Sequence, residues 1–347
     1  MLGVDYNALP LLGGFLIWIT GSSLAAAQPP GPQNVTNAAE EGFSMPIPNV
    51  PLPTLGGTQV WTDHRNVAGW RLQQHALTGH WRLLDDRDIR RAWGDREACE
   101  NKLREATADI DQHAAADHVV ILLHGLMRSK HSMRGLGRRI GQCADAPEVI
   151  AFSYASTRAG IPDHAAALRE LVEGLPGEPR ISFVGHSMGN IVVRHAIADW
   201  QAAGDPKGVL PRLDCMVMLG PPNQGAAIAR KLSKLGLFGV VTGEGGMQLG
   251  PHWQRLCDGL ATPPCPFAII AGDMPGLEPY NPLVDGSSDL VVSVEEARLD
   301  GAAEFHTVPH LHSFLMDQHD VQDLTLRFLG LGELGPGEDQ TREQATE

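Results

Sequence analysis

A mostly parallel sheet with helices on both faces, an α/β fold, is what three features of the sequence predict. Short apolar runs alternate with segments of helical periodicity from residue 118 to residue 329. Continuous apolar stretches such as His118–Leu123 (HVVILL) and Leu213–Leu219 (LDCMVML) are what strands covered on both faces require. Third, a serine between two glycines, Gly185-His186-Ser187-Met188-Gly189, stands where one such run gives way to a helical one.

Taken in order, the chain opens on an apolar run at 9–19, a polar turn, and the small residues Ala25-Ala26-Ala27. That is the layout of a secretory leader cut after Ala27, and eleven residues fall short of the roughly 20 that cross a bilayer. Export to the periplasm or medium is expected, with an N-terminal membrane anchor as the alternative. Residues 28–57 hold seven prolines and no basic residue, which makes them an extended linker. The folded domain is expected over 58–330. Within it, alternating runs around Thr78-Gly79 read as a hairpin, and 86–108, broken by Gly94, reads as one or two helices covering a sheet edge.

The regular series follows. Strands are expected at 118–123, 148–154, 180–184, 213–219, 267–271 and 305–308, and helices at 132–143, 163–175, 190–200 and 320–329. The glycine-rich, partly apolar segment 226–250 reads as a small cap, either a mobile lid or an ordinary helix and loop. Residues 331–347 form an acidic tail, expected to be disordered.

A formal charge of −14 argues against nucleic acid or an anionic membrane as partner, because phosphates are bound by clustered Lys and Arg. The five cysteines allow at most two disulfides, with Cys257–Cys265 the first candidate pair and Cys99–Cys143 the second, and none has metal-ligand spacing.

The chemistry centres on Ser187. A turn sharp enough to push its hydroxyl out of the sheet crowds the backbone two residues either side, which is why Gly185 and Gly189 flank it. The base comes later in the chain: His312 follows the last strand, His310 is its rival, and His306 falls inside the strand. The orienting acid is Asp289, Asp285 or Asp273, with Asp289 favoured because the apolar run after it can hold a loop carboxylate against the sheet. For the oxyanion, His124-Gly125 ends a strand, and the amides of Leu126 and Met188 form the natural donor pair.

His124-Gly125, the Gly185–Gly189 pentapeptide, Gly220-Pro221-Pro222-Asn223-Gln224-Gly225, the stretch from Asp289 to Val294 and His312-Ser313-Phe314 together resemble the α/β-hydrolase superfamily, in its bacterial lipase and esterase branch. The resemblance covers about 115–330. It implies an α/β-hydrolase fold with a small cap, hydrolysis of carboxylic esters through an acyl-serine intermediate, and no organic cofactor. It also implies an ester or lipid-like substrate met in transient contact with a lipid interface. Acyl transfer, or thioester or amide cleavage, would use the same triad. A catalytically silent binding protein that keeps the fold is the alternative from another class.

Overall fold

A computed structural model describes residues 52–54, 59–108, 116–233, 238–274, 284 and 286–332. The expected leader, most of the linker, Asp285 and the acidic tail lie outside the described residues.

The first part is an antiparallel sheet of β1 (Leu52–Pro53), β2 (Trp61–Val67), β3 (Trp70–His75), β4 (Trp81–Leu84) and β5 (Ile89–Gly94), in the order β1-β5-β4-β3-β2. The expected hairpin is β3–β4, with Leu72 opposite Leu83. The expected helical reading of 86–108 is corrected in its first part. Residues 89–94 form a strand in which buried Ala92 follows exposed Arg91, and only Arg96–Ala106 (α1) is helical. Gly94 does not interrupt a helix. It lies just ahead of the N-cap of one, Asp95, whose carboxylate accepts from the Ala98 amide. Cys99 and Leu103 of α1 then bury against Leu72, Leu83 and Ala92.

The second sheet carries β6 (His118–Leu123), β7 (Glu148–Phe152), β8 (Arg180–His186), β9 (Leu213–Leu219), β10 (Phe267–Gly272) and β11 (Glu304–Val308), all pairs parallel, in the order β11-β10-β9-β8-β6-β7. Strand side chains alternate between two cores. Val119, Ile121 and Phe183 face a core shared with α3 (Ile161–Glu173) and α4 (Met188–Ala202). Val120, Leu122 and Val184 face the other, shared with α2 (Arg134–Ile140) and the C-terminal helix 319–328. Each large aliphatic side chain so buried contributes about 1.5–3 kcal/mol.

Between β9 and β11 lie α5 (Ala227–Leu232), α6 (Phe238–Leu249), α7 (Trp253–Cys257) and α8 (Val294–Ala297), and the last helix is α9 (His319–Phe328). The cap segment kinks at Gly243 (φ 67°, ψ −164°). It is fixed where Gln248 Oε1 accepts from the Ile161 amide at 2.7 Å, and where a Cβ on Gly245 would stand 3.1 Å from Met188 Sδ. All five cysteines are free thiols, so neither expected disulfide is formed; Cys99 and Cys143 lie in different cores.

The chain runs outward from β6 to β7, then returns to place β8 on the other flank of β6. Such a reversal opens a crevice beyond the carboxyl ends of β6 and β8.

Candidate active site

Ser187 occupies that crevice at the β8–α4 junction, with φ 53° and ψ −122°. A non-glycine residue in this region carries about 1–3 kcal/mol of strain that its surroundings must hold. They do so through the Ser187 amide, which donates to Leu219 O at the end of β9 (2.8 Å), and Ser187 O, which accepts from the Asn190 amide (3.1 Å). The flanking glycines are required by close approach. A Cβ on Gly185 would fall 2.3 Å from Asn190 Oδ1, and one on Gly189 would fall 2.8 Å from His124 O.

His312 opens a 3-10 helix, His312–Asp317, after β11. Its Nδ1 lies 2.6 Å from Asp289 Oδ2, and its amide donates to Asp289 O at 3.1 Å. The other carboxylate oxygen of Asp289 accepts from the amides of Val291 (3.0 Å) and Val292 (2.7 Å). The pair is buried, Asp289 at 1% exposure and His312 at 6%. Two glycines make room for it. A Cβ on Gly220, the residue after β9, would stand 2.9 Å from His312 Nδ1, and one on Gly272, the last residue of β10, would stand 2.5 Å from Asp289 Cβ.

The rival residues are engaged elsewhere. Asp273 accepts from Ser287 Oγ, His310 Nε2 bonds Asp320 at 2.9 Å, and His306 bonds Glu304 at 2.6 Å. Asp285 lies outside the described residues. Among the described residues no hydrogen bond joins Ser187 Oγ to His312; the two are brought together through Leu219-Gly220 and through His186.

On the other side of the crevice, Gly125 approaches the elbow so closely that its Cβ would lie 3.1 Å from that of Ser187. The Gly125 carbonyl accepts from His124 Nδ1 (2.9 Å) and from the Arg128 amide (3.3 Å). These bonds turn the Gly125–Leu126 peptide so that its oxygen is occupied and its N–H points the opposite way. Among the described residues neither the Leu126 nor the Met188 amide has an acceptor. Burial pushes His124 down to about 4, so it is neutral with its proton on Nδ1. Burial first, then the neighbouring His312 and Arg128, hold His186 well below the usual histidine range.

Sequence reasoning placed Gly220 only in a motif, without the space it leaves for His312, and missed Gly272 and the packing of His186 against His312. A glycine immediately after the last apolar residue of a strand, in Leu219-Gly220 and Ala271-Gly272, was the available signal. A cavity of about 790 Å³ opens at the far end of the sheet, beside His118, Arg180 and Asp214, and holds none of the predicted site residues.

Residues 113–221, which carry His124-Gly125 and the elbow, match the DUF676 family, described as "Putative serine esterase". The chain has an α/β-hydrolase fold. Asp289 and His312 lie beyond the matched segment. Among solved structures it is similar to the lipase BlEst2 from Bacillus licheniformis in mature form, at 17% identity over 63% of this chain and 94% of that one, with a TM-score of 0.47. It is also similar to the phospholipase PlaB from Legionella pneumophila, at 18% identity over 62% and 60%, with a TM-score of 0.48. No curated protein matches this chain.

Proposed function

We propose that this hydrolase cleaves carboxylic esters through an acyl-serine intermediate. The observation that carries the reading is the buried His312–Asp289 pair, 2.6 Å apart, set at the same end of the sheet as the strained Ser187. In this reading Ser187 Oγ attacks the ester carbonyl as His312 Nε2 takes its proton, and Asp289 holds the imidazole by Nδ1–H. The oxyanion meets the Leu126 and Met188 amides, the C–O bond breaks, and His312 returns the proton to the leaving alcohol. Water then repeats the sequence and frees the acid.

Two of the exposed large apolar side chains, Met127 and Phe314, flank the crevice, one beside Leu126 and one two residues past His312. They support an ester or lipid-like substrate presented in transient contact with a lipid interface. The apolar leader supports an exported enzyme, for which a mature N-terminus at Gln28 is the expected result of sequencing.

The test is labelling by a serine-reactive fluorophosphonate, with hydrolysis of an ester series from short to long acyl chains. Wild-type protein is expected to label and turn over, and Ser187→Ala to do neither while keeping its melting temperature. Ester turnover near wild type in Ser187→Ala would end the proposal.

A further inference from the structure

We infer that His186, the residue before the nucleophile, is a positioning residue for His312, joining the serine's elbow to the base's loop through a single hydrogen bond. The inference rests on the esterase reading and adds to it a part that the three triad residues do not supply.

Among the described residues Ser187 and His312 share no hydrogen bond, and they sit on elements that the chain joins only through more than a hundred intervening residues. Asp289 fixes the His312 ring and its amide, but Asp289 belongs to the same side of the site as His312 and says nothing about where the serine is. His186 supplies that link. It is 1% exposed, and its Nε2 lies 2.9 Å from the main-chain carbonyl of His312. The two rings pack at 4.8 Å between centroids, tilted by 46°. His312 is thus held at its amide and at Nδ1 by Asp289, and at its carbonyl by the residue bonded to Ser187. Because the anchor is one peptide from the nucleophile, a shift of the base relative to the serine must stretch this hydrogen bond.

The protonation of His186 suits the role. A carbonyl can only accept, so Nε2 must carry the proton, and a neutral ring then leaves Nδ1 bare. Nδ1 has no partner and faces Gly125, where a Cβ would come within 2.9 Å. Burial keeps the ring neutral, so His186 itself adds no charge beside His312 when it takes the serine's proton. A buried nitrogen without a partner costs stability. A simple packing role would be filled as well by an apolar side chain without that cost. The donor is what an apolar side chain could not provide.

The test compares two amides of the same chemistry and different reach. In His186→Gln the side-chain NH2 extends about as far as Nε2 of the imidazole; in His186→Asn it stops one methylene short. Each variant is titrated with fluorophosphonate, and kcat and KM for a short-chain ester are expressed per titrated site, so that a misfolded fraction drops out. His186→Gln is expected within about threefold of wild-type kcat, and His186→Asn about tenfold to a hundredfold below it with KM changed less than about threefold, as loss of orientation predicts. Equal kcat per site in the two variants, whether both near wild type or both impaired, would overturn the inference. If His186→Asn does not accumulate as folded protein, His186→Phe, which keeps a ring and lacks the donor, replaces it with the same expected loss. Failure of the wild-type protein to label or turn over would strike the esterase reading instead.

Discussion

Replacing Asp289 by Asn tests the site where its geometry is most constrained. The carboxamide could in principle sit either way round, but Oδ1 already accepts from two amides, those of Val291 and Val292, at 3.0 and 2.7 Å. Turning the NH2 toward them would set donor against donor in a buried place. The amide oxygen must therefore stay there, and the NH2 must face His312 Nδ1 across the 2.6 Å now spanned by a charge-assisted bond. Nδ1 can meet a donor only by giving up its proton, which moves to Nε2, the atom that has to accept from Ser187. The enzyme is left in the wrong tautomer with its architecture intact. Losses of this kind run to about 10³–10⁴ in turnover, or roughly 4–5.5 kcal/mol of transition-state stabilisation. The stability cost is smaller, about 1–3 kcal/mol, because both amide bonds to Oδ1 survive. Turnover of a short-chain nitrophenyl ester and thermal melting measure the two effects side by side, with Asp273→Asn and His310→Ala as controls within about threefold of wild type. An Asp289→Asn enzyme within tenfold of wild type, or an Asp273→Asn enzyme that is the more damaged, would refute the assignment of the acid.

Gly220→Ala places a methyl 2.9 Å from His312 Nδ1 at a backbone φ of +53°, whereas Gly208→Ala has a similar φ, +61°, and open space around it. Both should lose about 1–2 kcal/mol of stability to the left-handed backbone, but only Gly220→Ala should lose turnover, about tenfold or more; equal kcat in the two would show that the base tolerates displacement. His124 and His164 are pushed by burial from 6.5 down to about 4. The unfolded chain therefore takes up protons before the folded one does. Stability should be unaffected by these groups above pH 6.5 and fall as pH drops from 6.5 to 4, by on the order of 3 kcal/mol for each histidine. Melting temperatures recorded down this range would contradict the prediction if they stayed level.

The parallel sheet was legible because its inner strands are buried on both faces and carry unbroken apolar runs such as 119–123 and 215–219. The antiparallel sheet was legible only at its hairpin. Its inward positions include Asp63, Gln73 and Arg82, which bond one another, Gln73 Nε2 on Asp63 at 2.6 Å and Arg82 Nε on Gln73 at 2.9 Å, and so hide the alternation that marks a half-buried strand. At the site, the order Ser187, Asp289, His312 could be read from the chain. The apolar run after Asp289 already favoured it over Asp273, and what the structure adds is that its loop reaches the histidine. Gly220 and Gly272 make room for residues 92 and 17 positions away, and no local pattern carries that information. The disulfides were expected from cysteine number, the expected export and the proline-rich loop that Cys257 and Cys265 flank, none of which says which core each thiol enters.

One consequence of the small sheet concerns association between molecules and not catalysis. Among the described residues β7 ends the order of the large sheet, and one flank of it has no strand beside it there. Where β7 runs out, β2 closes over the chain: the Asp63 amide donates to Ser153 O, the Asp63 carboxylate accepts from the Ser153 amide, and Thr62 Oγ1 accepts from the Ala155 amide. A bare strand flank is a template on which another copy can add itself, and a buried inward-facing charge is one of the ways natural sheets prevent it. A chain starting at residue 116 would keep Ser187, Asp289 and His312 and lose this guard, and its failure would be seen first as sedimenting aggregate.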